Sequence, residues 1–416
     1  MLKLLLKILA GIYFVFLIFL VSAWAVWHVM SDGPILPKHV AEPILWLAKF
    51  PSKTFHFLKS DNIDERKIFN QEDQPVVSQI NDSFGQNYHL LTSTFIQNDS
   101  LEIKILNASN FMVKKSWTIS EEQILRSKND KNQHLPIRLF HPLFLKDSSL
   151  IFSFGPLFRL NKKNSIIWVN NSREFHHAIE MQGDSLIWTG SRIYGNKYFN
   201  FGNDTLMNDA ICAIDIKSGQ IKYEKSVADI LVENGYRYLL QIGKFEPDLV
   251  HLNDIQPVSK GVKYWQLGDL FISIRNRSTV FLYRPSTNKI LWLKTGPWLE
   301  QHDVDLVNDK IIMIFGNDVI RGKYIAHLVN GHNDVYFYDF EKDSVYTPYT
   351  KMMKKLNIAT KSEGRCDLLP NGDLFIDETN NGKLYIITPD SLKMKYVERI
   401  DDKHIKMFNW VRPIFN

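Results

Sequence analysis

Hydrophobic positions follow two different rules along this chain. From Ile8 to Trp27 every residue is uncharged and most are apolar, with Lys3 and Lys7 just ahead. A helix rises 1.5 Å per residue, so about twenty such residues cross a bilayer core. The stretch predicts one transmembrane helix within residues 1–30, and the lysines predict a cytoplasmic N-terminus. Ala23-Trp24-Ala25 resembles a signal-peptidase site. The run is longer than an ordinary signal core, and Trp24 and Trp27 sit where interfacial anchors belong. An uncleaved signal-anchor is therefore expected over a removed signal peptide. No later segment is apolar enough to span. Residues 31–60 carry Pro34, Pro37, Pro43 and Pro51 around "ILWLAKF" and read as a juxtamembrane linker.

From about Tyr88 the rule changes to short apolar runs broken by Asn, Asp and Gly, the signature of strands and turns. Certain segments echo one another. "HHAIEMQGDSLIWTG" begins at His176, "HDVDLVNDKIIMIFG" at His302 and "CDLLPNGDLFIDE" at Cys366. His177 to Asp184, His302 to Asp309 and Cys366 to Asp373 each span seven residues. A unit at His251 has the same parts, with its Gly268-Asp269 turn delayed by the insertion "SKGVKYWQL". Fainter copies start near His141 and Leu90. Each unit continues into a second hairpin: "AICAIDIKSGQIKYEKS", "STVFLYRPSTNKILWLK", "DVYFYDFEKDSVYTPY" and "GKLYIITPDSLKMKYV". Four strands per unit and about six units predict an all-β fold. The expected form is a six-bladed β-propeller of four-stranded antiparallel blades, filling residues 61–416. Seven or eight blades are the alternative, because the terminal copies are faint. A β-sandwich fits the double-hairpin repeat less well.

Composition adjusts this picture only slightly. The chain has 416 residues, 45% hydrophobic and 23% charged, which is ordinary for a globular protein. Its 13% aromatic content suits strands. A net charge of +5 favours anionic ligands, and without a Lys/Arg stripe no nucleic-acid partner is expected. The two cysteines, Cys212 and Cys366, make neither a disulfide scaffold nor a metal motif.

Blades related by rotation bring equivalent positions around one channel. His177, His251 and His302 are expected to converge there, with Asn253 beside one of them and Arg275 on the following strand. Neutral imidazole is a nucleophile and a base, while guanidinium and amide donors suit a tetrahedral oxyanion. Such a group would cradle a sulfate or phosphate during transfer. Zinc held by three histidines is the alternative, ranked lower because Arg275 would repel a cation. His89, His134, His141, His327 and His332 read as structural. His176 should face the other side of its strand from His177, and Cys366 should be packing. Gly-rich phosphate loops, nucleophile elbows and H-E-x-x-H are absent from the sequence.

At these residues the chain resembles the bacterial arylsulfate sulfotransferases that work without a nucleotide donor. The resemblance rests on "VHLNDIQ", "GDLFISIRNRSTVFLY", "QHDVDLVNDKIIMIFGND" and "HHAIEMQGDSLIW", in the family's order and with its polar residues. It implies a six-bladed propeller with the site at the channel and no cofactor. It implies His302 as a nucleophile that becomes sulfohistidine. His177, His251, Asn253 and Arg275 would surround the sulfuryl oxygens and the bridging phenolic oxygen. The implied reaction is ping-pong, from an aryl sulfate donor to a phenol acceptor. Relatives carry an extra N-terminal β domain and a disulfide; here a membrane anchor stands in the domain's place. The short loop between Arg275 and His302 implies a more open acceptor pocket. The expected location is the inner membrane, single-pass, with the catalytic domain in the periplasm or outside the cell. Two competing readings remain. One is a non-catalytic scaffold, since "AICAIDIKSGQIKYEKS" is also similar to quinoprotein-type propeller repeats. The other is a receptor for sulfated ligands.

Overall fold

The strand signals resolve into antiparallel sheet. The computed structural model describes residues 2–30, 67–68, 88–96, 100–120, 139–194, 207–241, 248–321, 326–399 and 405–415. The chain divides into two units, Met1–Glu65 and Arg66–Asn416. In the first, one helix spans Leu2–Met30. Its described side chains from Gly11 to Trp24 are all exposed, Phe14, Val15 and Phe19 each by more than 60%. On the described residues alone, no helix is long and apolar enough to cross a membrane. The expected linker at 31–60 lies outside the described residues.

The second unit is a propeller-like all-β assembly. Four of its sheets have four strands in the described residues. One takes Leu252–Pro257, Leu270–Ile274, Thr279–Arg284 and Lys289–Thr295 in chain order. Another takes Val304–Asn308, Ile311–Gly316, Asp334–Asp339 and Ser344–Tyr346. A third takes Arg365–Leu368, Leu374–Glu378, Lys383–Ile387 and Leu392–Tyr396. The fourth joins Tyr88–Ile96, Ser100–Asn107 and Val113–Ser120 to the distant strand Arg412–Phe415, with Leu91 opposite Arg412. A seven-stranded sheet runs from Phe140–Phe144 to Ile221–Ser226. Its long middle strand, Ile166–Gln182, pairs by its first half with Gly155–Leu160 and by its second half with Leu186–Tyr194. All four second hairpins expected from the sequence are present. The sequence pattern did not signal two short helices, Val227–Glu233 and Thr350–Lys355. Ser226 caps the first by accepting the Asp229 N–H.

Strand alternation explains how the sheets stack. Leu270, Ile272 and Ile274 point one way, into a cluster with Ile211 and Trp188. Phe271 points the other way, against Ile312 and Ile314. Each sheet is thus buried on both faces, one by the sheet before it and one by the sheet after. The last interface packs Phe375, Leu384 and Ile386 on Leu90 and Leu106, which closes the ring. Burying each such side chain stabilises by roughly 1.5–3 kcal/mol.

Buried carboxylates tie the sheets together at their inner ends. Asp209 accepts the Leu252 N–H at 2.7 Å, Asp254 that of Val304 at 3.0 Å, Asp303 that of Cys366 at 3.0 Å and Asp377 that of Val411 at 2.7 Å. Each bond crosses from one sheet to the next. Beside them the backbone turns left-handed at His141, His177, His251, Glu300, Gly364 and Trp410, with φ between 40° and 122°. Non-glycine residues seldom adopt this conformation. Here it occurs within or just ahead of each innermost strand, so it re-aims the side chains at the channel mouth.

Candidate functional site

Of the sequence-predicted residues, His177, His251 and His302 lie together, and Asn253 and Arg275 are tied to the backbone beside them. The rings of His177 and His251 stand edge to face, with centroids 5.1 Å apart. The nearness of His251 disfavours protonation of His302, and that of both disfavours protonation of His177. The Arg275 N–H donates to the His251 carbonyl at 2.9 Å. The Asn253 side chain donates to the carbonyl of Gln301, next to His302, at 3.0 Å. The register argument holds for His177 and His251, which share the left-handed conformation. It fails for His302, because in that sheet Glu300 takes the left-handed position and His302 follows two residues later.

His302 is 4% exposed, and its Nδ1 lies 2.5 Å from Asn317 Oδ1. The Asn317 amide group donates to the carbonyls of Thr360 and Glu363, which fixes its oxygen toward the ring. His302 must therefore carry its proton on Nδ1 and its lone pair on Nε2. That Nε2 is buried and makes no hydrogen bond. Burial, with His251 nearby, pushes the His302 pKa down to about 3, against the opposing pull of Asn317 and the Glu300 and Ser362 carbonyls. The imidazole is neutral across the physiological range.

His251 Nδ1 lies 2.5 Å from Asp248 Oδ2, so its lone pair too falls on Nε2. Arg275 is 6% exposed and donates to Glu300 at 2.8 Å, while its Nε is buried without a partner. Glu300 also accepts from Arg321, so two guanidinium groups share one carboxylate and an excess positive charge remains. Asn253 Oδ1 is likewise buried and unpaired.

Two expectations change. His176 does not turn away from His177: their Nδ1 atoms are 2.8 Å apart and both rings are buried. The left-handed His177 and a register shift between His176 and Ile179 break the two-residue alternation on which the expectation rested. His141, read as structural, packs against the same cluster. It stacks on Trp410 at 5.1 Å, and Trp410 meets His177 edge-on at 6.1 Å. Burial, then Arg365, Arg412 and His302, hold its pKa well below the ordinary value. Of the remaining histidines, His332 faces the Asn333 carbonyl at 2.8 Å and His327 is exposed. His89 is buried, and His134 lies outside the described residues. Cys366 packs among Phe315, Ile376 and Tyr385. Among the described residues no group of three His, Cys, Asp or Glu side chains could hold a metal ion.

A sequence model of the family described as "Arylsulfotransferase (ASST)" matches residues 141–399, more than half of the chain and every residue of this cluster except Trp410 and Arg412. The chain belongs to the arylsulfotransferase family. No curated protein matches it. Among solved structures, a protein of unknown function from Bacteroides caccae is similar over 79% of this chain and 99% of that one, with TM-score 0.50 and 11% identity. That likeness concerns the fold alone. A catalytically inactive virginiamycin B lyase from Staphylococcus aureus, solved with quinupristin, aligns over 78% of this chain and 86% of its own at TM-score 0.39 and 11% identity. For this arylsulfotransferase family member, sequence reasoning missed Asn317, Asp248, Asp209, His176 and Trp410. The first three sit in Asx-rich stretches that look like turns, and only the doubled histidine "HH" gave a signal.

Proposed function

We propose that this arylsulfotransferase moves a sulfuryl group from an aryl sulfate to a phenol by a ping-pong route through sulfohistidine at His302. The observation that carries the reading is the His302 ring: neutral, oriented by Asn317, with a buried and unpaired Nε2. In the first half-reaction Nε2 attacks sulfur, the S–O bond to the phenol breaks and an S–N bond forms. Asn317 Oδ1 holds the Nδ1 proton of the ring as it turns cationic. Arg275 is the fixed cationic donor that offsets the charge building on the sulfuryl oxygens, and Asn253, His177 and His251 line the space around the sulfuryl and bridging oxygens. In the second half-reaction a phenol oxygen attacks sulfur and His302 leaves. No nucleotide and no metal is required.

The propeller is read as six-bladed. The seven-stranded sheet counts as two blades sharing Ile166–Gln182, and six clusters of buried residues and six left-handed positions support that count. The helix Leu2–Met30 is read as a single-pass inner-membrane anchor, with the propeller on the periplasmic side. Its 29 residues and the uncharged run from Ile8 to Trp27 support this. Full-length protein should stay with membranes after alkaline carbonate washing, whereas recovery in the soluble fraction would refute the anchor.

The activity test is purified protein with 4-nitrophenyl sulfate and phenol, without nucleotide. Nitrophenolate should be released, and donor alone should leave a stable adduct of about 80 Da on the protein, one sulfuryl group on a nucleophile. His302→Ala should lose both. Release that survives this change refutes the assigned nucleophile, and no release from the native protein favours a scaffold or a receptor.

A further inference from the structure

Behind His177, His176 and Asp209 continue a line of contacts that the sulfuryl chemistry leaves unused. Asp209 Oδ2 is held by the Leu252 N–H at 2.7 Å, and its Oδ1 lies 3.1 Å from His176 Nε2. That approach is bent away from an ideal hydrogen bond, so the attraction is chiefly electrostatic. His176 Nδ1 in turn lies 2.8 Å from His177 Nδ1. Gly190 makes room for this arrangement: a Cβ there would stand 2.8 Å from the His176 carbonyl oxygen and 3.3 Å from its Cε1.

The line has two proton states that need no ring to move. A carboxylate beside His176 Nε2 requires the proton on that nitrogen. Neutral His176 then offers a lone pair at Nδ1, His177 must donate its Nδ1–H, and the lone pair of His177 falls on Nε2. If the line gains one proton, His176 becomes an imidazolium that donates from Nδ1. His177 then accepts at Nδ1 and carries its proton on Nε2. One added proton thus converts His177 Nε2 from acceptor to donor.

We propose that His177 moves the phenolic proton, with His176 and Asp209 as positioning residues that hold it from the end of one turnover to the start of the next. The inference rests on the sulfuryl-transfer reading. In the first half-reaction His177 Nε2–H gives its proton to the departing oxygen while the His176 Nδ1 proton passes to His177. In the second, the acceptor O–H gives its proton to His177 Nε2, and the Nδ1 proton returns to His176. His177 is flanked by the imidazoles of His251, His302 and His141, whereas His176 abuts a carboxylate. His251 has its own carboxylate, Asp248, but those side chains are 19% and 23% exposed. The His176 and Asp209 side chains are only 5% and 2% exposed. His176 is thus the more enclosed of the two imidazole–carboxylate pairs.

The test separates the half-reactions by rapid mixing, in Asp209→Asn and His176→Asn. Release of 4-nitrophenolate needs no proton donor, so the first burst should stay within about threefold of native. Transfer from the sulfated enzyme to phenol should slow by about 10²-fold, the usual weight of general-base help. The defect should shrink below about threefold for an acceptor already ionised at the assay pH. Equal slowing with ionised and un-ionised acceptors, or no slowing, overturns the relay. Either variant suffices if the other does not fold. Absence of the burst in the native protein instead overturns the sulfuryl-transfer reading beneath it.

Discussion

Asn317→Ala isolates the contribution of orientation at His302. The side chain makes three bonds: Oδ1 accepts from His302 Nδ1, and Nδ2 donates to the Thr360 and Glu363 carbonyls. Thr360 keeps a second donor, Asn333 Nδ2 at 2.8 Å, so the loop is still held. The Glu363 carbonyl loses this donor, a cost to stability, while the loss that bears on the proposed chemistry is the His302 bond, which on that route strengthens as the ring becomes cationic. A hydrogen bond to a charged group is worth about 1.5–3 kcal/mol. At about 1.4 kcal/mol per decade, the first half-reaction should slow by about 10- to 100-fold. Stopped-flow release of 4-nitrophenolate under single-turnover conditions measures that rate directly. Donor affinity should change by no more than about threefold, because the lost bond is made chiefly in the transition state. A variant with the native burst rate would refute the assignment of Asn317 as the group that fixes the nucleophile's tautomer. A variant with an intact burst rate constant but weak donor binding would place Asn317 in substrate recognition instead.

Three further outcomes follow from the same geometry. Arg275→Ala should lower kcat/KM for aryl sulfates by about 10²- to 10³-fold, the usual cost of losing one oxyanion donor; an effect on KM alone would make Arg275 a docking group. His302→Gln should flatten the acid side of the stability curve. The native ring titrates near 3 folded and near 6.5 unfolded, so the unfolded chain binds more protons between those values and the native protein loses stability as pH falls through that window. At pH 5 the difference amounts to at most about 2 kcal/mol, read from urea melts at pH 5 and pH 8; identical pH dependence in both proteins would contradict the buried neutral ring. Asp377→Ala should cost about 1–3 kcal/mol and lower Tm, since it strands the buried Val411 N–H ahead of the closing strand Arg412–Phe415. An unchanged melting curve would show that this bond does not help close the ring.

The polar residues that interrupt a regular repeat were legible without coordinates. His177, His251, His302, Arg275 and Asn253 stand where strand patterning asks for nothing polar, and the structure gathers them. What the pattern missed are partners whose role exists only in three dimensions. Asp209 reads as part of a turn until Leu252, 43 positions later, brings its N–H to it. Asn317 belongs to a Gly-Asn-Asp run that any turn would favour. His176 was excluded by strict alternation, and alternation breaks down at a left-handed residue. The left-handed conformation at a histidine leaves no mark in composition.

The strand Arg412–Phe415 completes a sheet whose other members begin at Tyr88, and Trp410 just ahead of it walls the cluster beside His141 and His177. A ribosome makes those residues long after the rest of that sheet. Until they emerge, Tyr88–Ile96 is left as a bare edge, open to pairing with another chain, and the histidine cluster lacks Trp410. Loss of Trp410 and the strand after it would therefore bare that edge and open the cluster beside His141 and His177.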